Sequence, residues 1–307
     1  MRRALVTGGR GFIGRHLVRS LRGLGCRVAT VGRSPASDPS DIVLDEASWT
    51  PSALGDIIER EAPDWIFHLA GSATGTREQL DRANVRTTLA LLEGLARTAR
   101  TPLLVCAGSA AEYGAAIRDG EPVAETLACA PVSDYGISKH AQSCAALRFA
   151  EETGHRVIVA RVFNPIGADM PAHLALGSFA RQIAASSDRS CCLRVGNLNV
   201  QRDMIDVEHA AKILIDLAFT ENARGVVNVC SGQAPLLRDL VDCMISSSGR
   251  NVSLEVDPAR VRPGEIRTIV GSTARLAEFG CLPPPTDFPA VVARIWEAVV
   301  DSTGSPN

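Results

Sequence analysis

The stretch Val6-Thr7-Gly8-Gly9-Arg10-Gly11-Phe12-Ile13-Gly14 constrains this chain more than any other. It joins a short apolar run at 4–6 to a helical pattern at 13–24, so the glycines stand between a first strand and a first helix. Glycines serve three purposes at such a junction: a tight turn, backbone approach to a pyrophosphate, and close helix–strand packing. The free N–H groups and the dipole at the helix N-terminus then favour the phosphate. Gly9, Gly11 and Gly14 satisfy G-x-G-x-x-G, and Gly8, Gly11 and Gly14 satisfy G-x-x-G-x-x-G. A glycine-rich turn alone is often only a turn. Its place after a strand and before a helix makes it a dinucleotide fingerprint.

The rest of the chain carries the rhythm this fingerprint requires. Short runs rich in branched apolar residues at 28–31, 42–44, 65–68, 103–106 and 157–161 read as buried strands. Helical stretches at 52–61, 80–97 and 133–152 lie between them. Strict alternation predicts an α/β, Rossmann-type doubly wound parallel sheet covered on both faces. After Arg161 the rhythm breaks. A turn-rich stretch at 164–168 precedes helical patterns at 174–185 and 207–219 and a strand at 226–229. Beyond Ser231 the elements shorten, and Pro283-Pro284-Pro285 leads into an amphipathic stretch at 288–300. The expected division is a dinucleotide-binding domain from 1–165 and 200–230, with a smaller, partly discontinuous α/β substrate domain from 166–199 and 231–307. Residues 302–307 are expected to fray.

The strand at 28–31 ends in Val31-Gly32-Arg33. NAD-binding units place an acidic residue about 20 residues past the glycines, on the ribose hydroxyls. Here glycine stands at that place and arginine follows, which suits a 2′-phosphate and favours NADP(H), with NAD(H) as the alternative. An isolated arginine is ordinarily just a solvated charge.

Scarcity sharpens the next motif. Lys139 and Lys212 are the only lysines among 32 basic residues, and Tyr113 and Tyr135 are the only tyrosines. Tyr135-Gly136-Ile137-Ser138-Lys139 sets a phenol and an ammonium at i and i+4, on one helix face. A free phenol titrates near 10, and a close cation stabilises phenolate and lowers that value. Ser109 follows the strand at 103–106, on the carboxyl edge where such sheets bind ligands, and could hydrogen-bond a carbonyl.

Bulk properties exclude several classes. A net charge of −2 gives no reason to expect nucleic acid or an anionic membrane as partner. The nine cysteines are scattered and contain no C-x-x-C pair, so neither a disulfide framework nor a zinc site is expected. The N-terminal apolar run is too short for a signal peptide, and no run approaches membrane-spanning length. A cytoplasmic protein without a bound metal is the expectation.

With these motifs in place, the chain resembles the extended short-chain dehydrogenases/reductases that process nucleotide sugars. The matching stretches are Thr7 through Gly14, His68-Leu69-Ala70-Gly71, Asn84-Val85, Ser109 through Gly114, Tyr135 to Lys139, Arg161-Val162-Phe163-Asn164, Arg202-Asp203-Met204-Ile205-Asp206-Val207 and Arg262-Pro263-Gly264-Glu265. Within the family, Gly108 through Gly114, Phe179-Ala180-Arg181-Gln182-Ile183, Val195-Gly196-Asn197-Leu198 and Asn228 through Gly232 look most like GDP-4-keto-6-deoxy-D-mannose reductases. The resemblance implies Tyr135 as acid/base, Lys139 on the nicotinamide ribose and tuning Tyr135, and Ser109 orienting the carbonyl. It implies cofactor contacts from Gly8, Arg10, Gly11, Phe12, Ile13, Gly14, Arg33, Leu69 and Ala70, with Asp45 on the adenine. Asn164, Arg202 and Arg262 match residues that bind the sugar nucleotide's diphosphate.

Two departures stand out. Related dehydratases carry an acidic pair directly after the hydroxyl residue; here Ala110 and Ala111 occupy those places, and Glu112 comes one place too late. The loop Asn164-Pro165-Ile166-Gly167-Ala168-Asp169 lacks the usual Pro-Gly after its glycine. The expected activity is NADPH-dependent reduction of a nucleotide-linked 4-keto-6-deoxy sugar, GDP-linked by preference. An epimerase with retained NAD is the rival, and a non-catalytic sensor on the same fold is a third reading. A homodimer through the helices at 80–97 and 133–152 is expected, since alanine and leucine recur along both.

Overall fold

A computed structural model describes residues 1–33, 35, 38–186, 190–261 and 264–304. Seven parallel strands form the main sheet: β1 (Arg3–Thr7), β2 (Arg27–Gly32), β3 (Asp41–Val43), β4 (Trp65–His68), β5 (Leu103–Ser109), β7 (Val157–Val162) and β12 (Gly225–Val229). A two-residue strand, β6 (Pro122–Val123), lies outside this sheet. The spatial order is β3-β2-β1-β4-β5-β7-β12, so the strand order reverses beside β1. Ligands of open α/β sheets bind at that reversal, outside the carboxyl ends of the strands.

Alternation along each strand feeds two apolar layers. Ala4 and Val6 of β1, Trp65 and Phe67 of β4, and Leu103 and Val105 of β5 face one layer, with α1 (Phe12–Gly23) and α7 (Val207–Phe219). Leu5, Ile66 and Leu104 face the other, with α2 (Pro51–Glu61), α4 (Thr87–Ala96) and α5 (Asp134–Thr153). Burial on both faces is why these strands read as continuous apolar runs. The doubly wound parallel sheet expected from the sequence is what the chain forms.

Local sequence sets the helix limits. Thr50 accepts a hydrogen bond from Ala53 N at 3.3 Å and Pro51 opens α2, while Ser133 accepts from Gly136 N at 3.0 Å and opens α5. The helix expected at 80–97 is not regular. A short α3 (Arg77–Leu80) runs into a π-helical turn over Asp81–Arg86 before α4 begins. Thr87 and Thr88 hydroxyls donate to the carbonyls of Ala83 and Asn84, four residues back, at 2.5 and 2.6 Å. Such bonds compete with the helix's own ladder and accompany the widened turn. Apolar periodicity does not register one extra residue of this kind.

A separate apolar cluster gathers α6 (Ala175–Ala185), β9 (Ser190–Val195), α8 (Leu237–Ser248), β13 (Asn251–Val256) and α10 (Phe288–Gly304). The last helix runs to Gly304, and 305–307 of the end expected to fray lie outside the described residues. Three small parallel sheets complete the fold: β8 (Asn164–Ile166) with β11 (Met204–Asp206), β10 (Gln201–Arg202) with β14 (Thr268–Gly271) and β6, and β9 with β13. Phe12, at the start of α1, packs against the second cluster and so ties the glycine loop to it.

Candidate active site

The loop after β1 has no room for side chains. Gly8 sits at φ +71°, and a Cβ there would lie 2.7 Å from Leu69 C and Ala70 N. A Cβ on Gly14 would overlap the Gly8 carbonyl. Only glycine permits that close approach. The loop leaves the α1 N-terminus without a side-chain cap, at Gly11. Bare backbone at a helix N-terminus on the carboxyl edge fits the pyrophosphate of a dinucleotide.

A cleft of about 760 Å³ opens beside this cradle. Arg10, Arg33, Trp49, Ala70, Arg82 and Arg86 are among its lining residues. It covers the β2 end of the cradle and stops short of Ser109, Tyr135 and Lys139. Gly32 keeps its floor open: a Cβ there would meet Arg10 Nη2 at 3.3 Å. Arg10 in turn is held by Asp41, 3.5 Å from its Nη1, and Asp41 also accepts from the Thr30 hydroxyl. Asp41, Trp49, Arg82 and Arg86 escaped the sequence reading, because only the fold brings them to this edge. Asp45 caps a turn, accepting from Ser48 N at 2.7 Å, and its neighbour Glu46 lines the cleft instead. Leu69 N donates to Thr7 O at 3.0 Å, and Ile13 packs on the first apolar layer.

Of the three expected catalytic residues, Ser109 and Tyr135 meet, while the Lys139 ammonium reaches β5 at Ala107 and is not among the groups that shift the Tyr135 phenol. Tyr135 and Lys139 both lie on α5, one turn apart. Ser109 ends β5; its Oγ accepts from Ala111 N at 3.2 Å, and its hydroxyl hydrogen-bonds Tyr135. Gly136 makes this possible: a Cβ would meet Ala111 O at 2.5 Å, so only glycine lets α5 lie against the turn after β5. Burial pushes the Tyr135 phenol above its ordinary range, and a hydrogen bond with Ser109 partly offsets this. Burial lowers the Lys139 ammonium, whose Nζ donates to Ala107 O and Gln142 Oε1.

Buried polar partners hold the site from behind. Glu112 is fully buried; Oε1 accepts from Ser109 N at 2.8 Å and Ser143 Oγ at 3.0 Å, and Oε2 from Arg161 Nε at 3.0 Å. Those bonds engage both of its oxygens within the protein. Arg161 also lies 4.6 Å from the Tyr113 ring, whose hydroxyl donates to Asn228 Oδ1 at 2.6 Å. Asn84, buried within the π-helical turn, donates to Ser138 Oγ at 2.9 Å and Ser72 O at 3.0 Å. His68 bridges Thr7 and Thr88 at 2.7 and 2.8 Å, and burial, aided by Lys139, holds its pKa down to about 3.

The expected diphosphate ligands lie across the edge. Arg202 donates to Glu265 Oε1 at 2.9 Å and to Arg267 O at 3.0 Å. Asn164 Nδ2 donates to Asp203 O at 2.8 Å. Arg262 lies outside the described residues.

Residues 4–230 match the family model described as the NAD dependent epimerase/dehydratase family, and the chain belongs to that family. A GDP-6-deoxy-D-mannose reductase of Pseudomonas aeruginosa is 32% identical over 281 residues, 89% of each chain. A dTDP-6-deoxy-L-talose 4-dehydrogenase (NAD(P)(+)) of Kitasatospora kifunensis is 32% identical over 84% of this chain and 82% of its own. Among solved structures, RMD from Pseudomonas aeruginosa complexed with NADPH superposes with a TM-score of 0.84 at 29% identity, covering 98% of this chain and 100% of that one. Among the described residues no helix is long and apolar enough to cross a membrane.

Proposed function

We propose that this protein is an NADPH-dependent reductase of the keto group of a nucleotide-activated 4-keto-6-deoxy sugar, with a GDP-linked substrate favoured. The observation that carries the reading is the junction of Ser109, Tyr135 and buried Lys139 at the carboxyl edge, beside a glycine cradle that admits no side chain. When bound, reduced nicotinamide supplies hydride. Tyr135 supplies the proton to the developing alkoxide, and Ser109, whose N–H is held by Glu112, turns its hydroxyl from Tyr135 to donate to the carbonyl oxygen. Lys139 would hold the nicotinamide ribose when the cofactor is bound.

The NADPH preference follows from Gly32, which places no carboxylate at the end of β2, and from Arg10 and Arg33 lining the cleft there. Asp41 fixes Arg10 rather than facing the 2′-phosphate itself. Arg202, Arg262 and Asn164 are assigned to the substrate's diphosphate. The division into a cofactor unit (1–165, 200–230) and a substrate unit (166–199, 231–307) belongs to the same reading. So does a homodimer through α4 and α5, where Leu89 and Ile137 are exposed at 41% and 37%. The relatives named above support reduction or oxidation at a deoxysugar.

The test is NADPH oxidation measured side by side with GDP-, dTDP- and UDP-linked 4-keto-6-deoxy sugars. Stoichiometric consumption with one of them is expected. Tightly retained NAD with no net NADPH consumption would make an epimerase the better reading.

A further inference from the structure

Three donors of different chemistry converge behind Ser109. A carboxylate oxygen of Glu112, Cys129 Sγ and a ring nitrogen of His140 all lie within 4.8 Å of one another. They come from three segments: the turn after β5, the loop before α5, and α5 itself. The absence of any C-x-x-C spacing, which argued against zinc, says nothing about a site assembled in this way.

Glu112 has capacity to spare. A carboxylate offers about four lone-pair positions. Ser109 N, Ser143 Oγ and Arg161 Nε take three of them, two on Oε1 and one on Oε2. The remaining position lies on Oε2, which is 3.9 Å from His140 Nδ1. Arg161 keeps the carboxylate oriented as an outer partner, as groups behind metal ligands commonly do. Its charge is matched by Glu112, so a cation entering from the His140 side meets a neutral pair plus a thiol and an imidazole.

We propose that Glu112, Cys129 and His140 form a binding site for one Zn²⁺-type cation per chain. Imidazole and thiolate select zinc or cobalt over magnesium and calcium. Three protein ligands with an open fourth position for water make a tetrahedral zinc site. Metal–ligand bonds of about 2.0–2.3 Å put ligand atoms roughly 3.3–3.8 Å apart, so closing on the metal takes a shift that shortens a separation by up to about 1.5 Å. His140, with its side chain 36% exposed, has the freedom to make it. The same carboxylate holds the Ser109 backbone, so the bound cation draws on the bond that fixes the substrate-orienting serine. Zinc therefore inhibits turnover, a consequence that rests on the reductase reading.

Cobalt reads the site directly. Titrating the metal-free protein with Co²⁺ is expected to give one equivalent of binding, a thiolate-to-cobalt charge-transfer band and the intense visible bands of tetrahedral cobalt. Cys129→Ser should erase the charge-transfer band, and His140→Ala should weaken binding by at least about 10- to 100-fold, the cost of losing even an outer partner. Cys144 provides the critical control, because its Sγ lies 3.7 Å from His140 Nε2. A band that survives Cys129→Ser but vanishes in Cys144→Ser, or no thiolate band in the wild type, overturns the proposal. In the reductase assay, Zn²⁺ should inhibit the wild type and spare Cys129→Ser; inhibition equal in both removes the link to Ser109. Failure of the reductase assay itself leaves the cobalt result standing, so the two readings fail separately.

Discussion

On the cofactor side of the edge, Gly8, Gly14, Leu69 and Ala70 meet through backbone atoms, and a methyl group at either glycine would collide. Across the edge, Arg202 and Glu265 meet through side chains 63 residues apart in sequence, each only part-buried. Backbone contacts tolerate one residue type, whereas a side-chain ion pair can be remade with another partner. The first arrangement suits a nucleotide whose shape does not vary. If Arg202 takes the substrate's diphosphate as proposed, that substrate must displace the carboxylate Arg202 already holds.

The sharpest way to break this contrast is to disable chemistry while leaving both sides intact. Tyr135→Phe removes only the exchangeable proton, and turnover should fall about 10²–10⁴-fold, the usual range for general acid–base catalysis. Cofactor affinity, measured by fluorescence titration, should change little. A variant retaining more than about half its rate would remove Tyr135 from the mechanism. The wild-type pH profile carries a matching sign. The buried phenol sits above its ordinary range near 10, so reduction, which needs phenol, stays level through neutrality and falls in alkali. Oxidation of the product alcohol needs phenolate and rises over the same range.

A smaller effect tests whether the cofactor side reads charge as strictly as it reads shape. A charge-assisted hydrogen bond is worth roughly 1.5–3 kcal/mol, so one such contact to the 2′-phosphate predicts about 10- to 100-fold preference for NADPH over NADH. Replacing Gly32 with Asp and Arg33 with Ser should reverse it. A carboxylate at 32 would also engage Arg10, since a Cβ there already reaches Nη2 at 3.3 Å. Equal kcat/KM for the two cofactors in the wild type would sink the assignment.

Such contrasts also explain what was legible beforehand. The glycine loop, the i,i+4 pair of Tyr135 and Lys139, and Ser109 were readable because each is decided within a few residues. Gly136 could have been read too, as a glycine in the first turn of a helix needs a packing reason. The network around Glu112 could not: Ser143, Arg161 and the Tyr113–Asn228 bond join positions 31, 49 and 115 residues apart. Asp41 was hidden likewise, since its meeting with Arg10 depends on β3 adding to β2.

Burial on the cofactor side carries a stability cost in acid. His68 is fully buried and neutral, with its pKa lowered from 6.5 to about 3. An imidazole depressed on folding stabilises the native state above its unfolded pKa and loses that contribution as pH falls from 6.5 toward 3. The loss should be about 2 kcal/mol by pH 5, since each unit is worth about 1.4 kcal/mol. Urea midpoints at pH 7 and pH 5 would show it, and His68→Gln should flatten the difference. If His68→Gln keeps the full acid sensitivity, other groups set it.

The smallest expected effect falls on the substrate side and decides what Glu265 is for. Arg202 is part-buried and gives one Nη to Glu265 and the other to backbone carbonyls of Gln201 and Arg267. A diphosphate arriving there gains charge-assisted bonds of roughly 1.5–3 kcal/mol but must compete with the carboxylate for the same guanidinium. An ion pair at partial exposure is worth only about 0–1 kcal/mol. Removing the charge with Glu265→Gln keeps an acceptor for Arg202 while deleting the competitor and its repulsion of phosphate. KM for the sugar nucleotide should therefore fall by about 2- to 5-fold with kcat unchanged, within that 0–1 kcal/mol. Arg202→Gln should raise KM, by more than Glu265→Gln lowers it. An increase in KM for Glu265→Gln would mean that the carboxylate itself contacts the substrate, and the ion pair would then be a shared grip rather than a competitor.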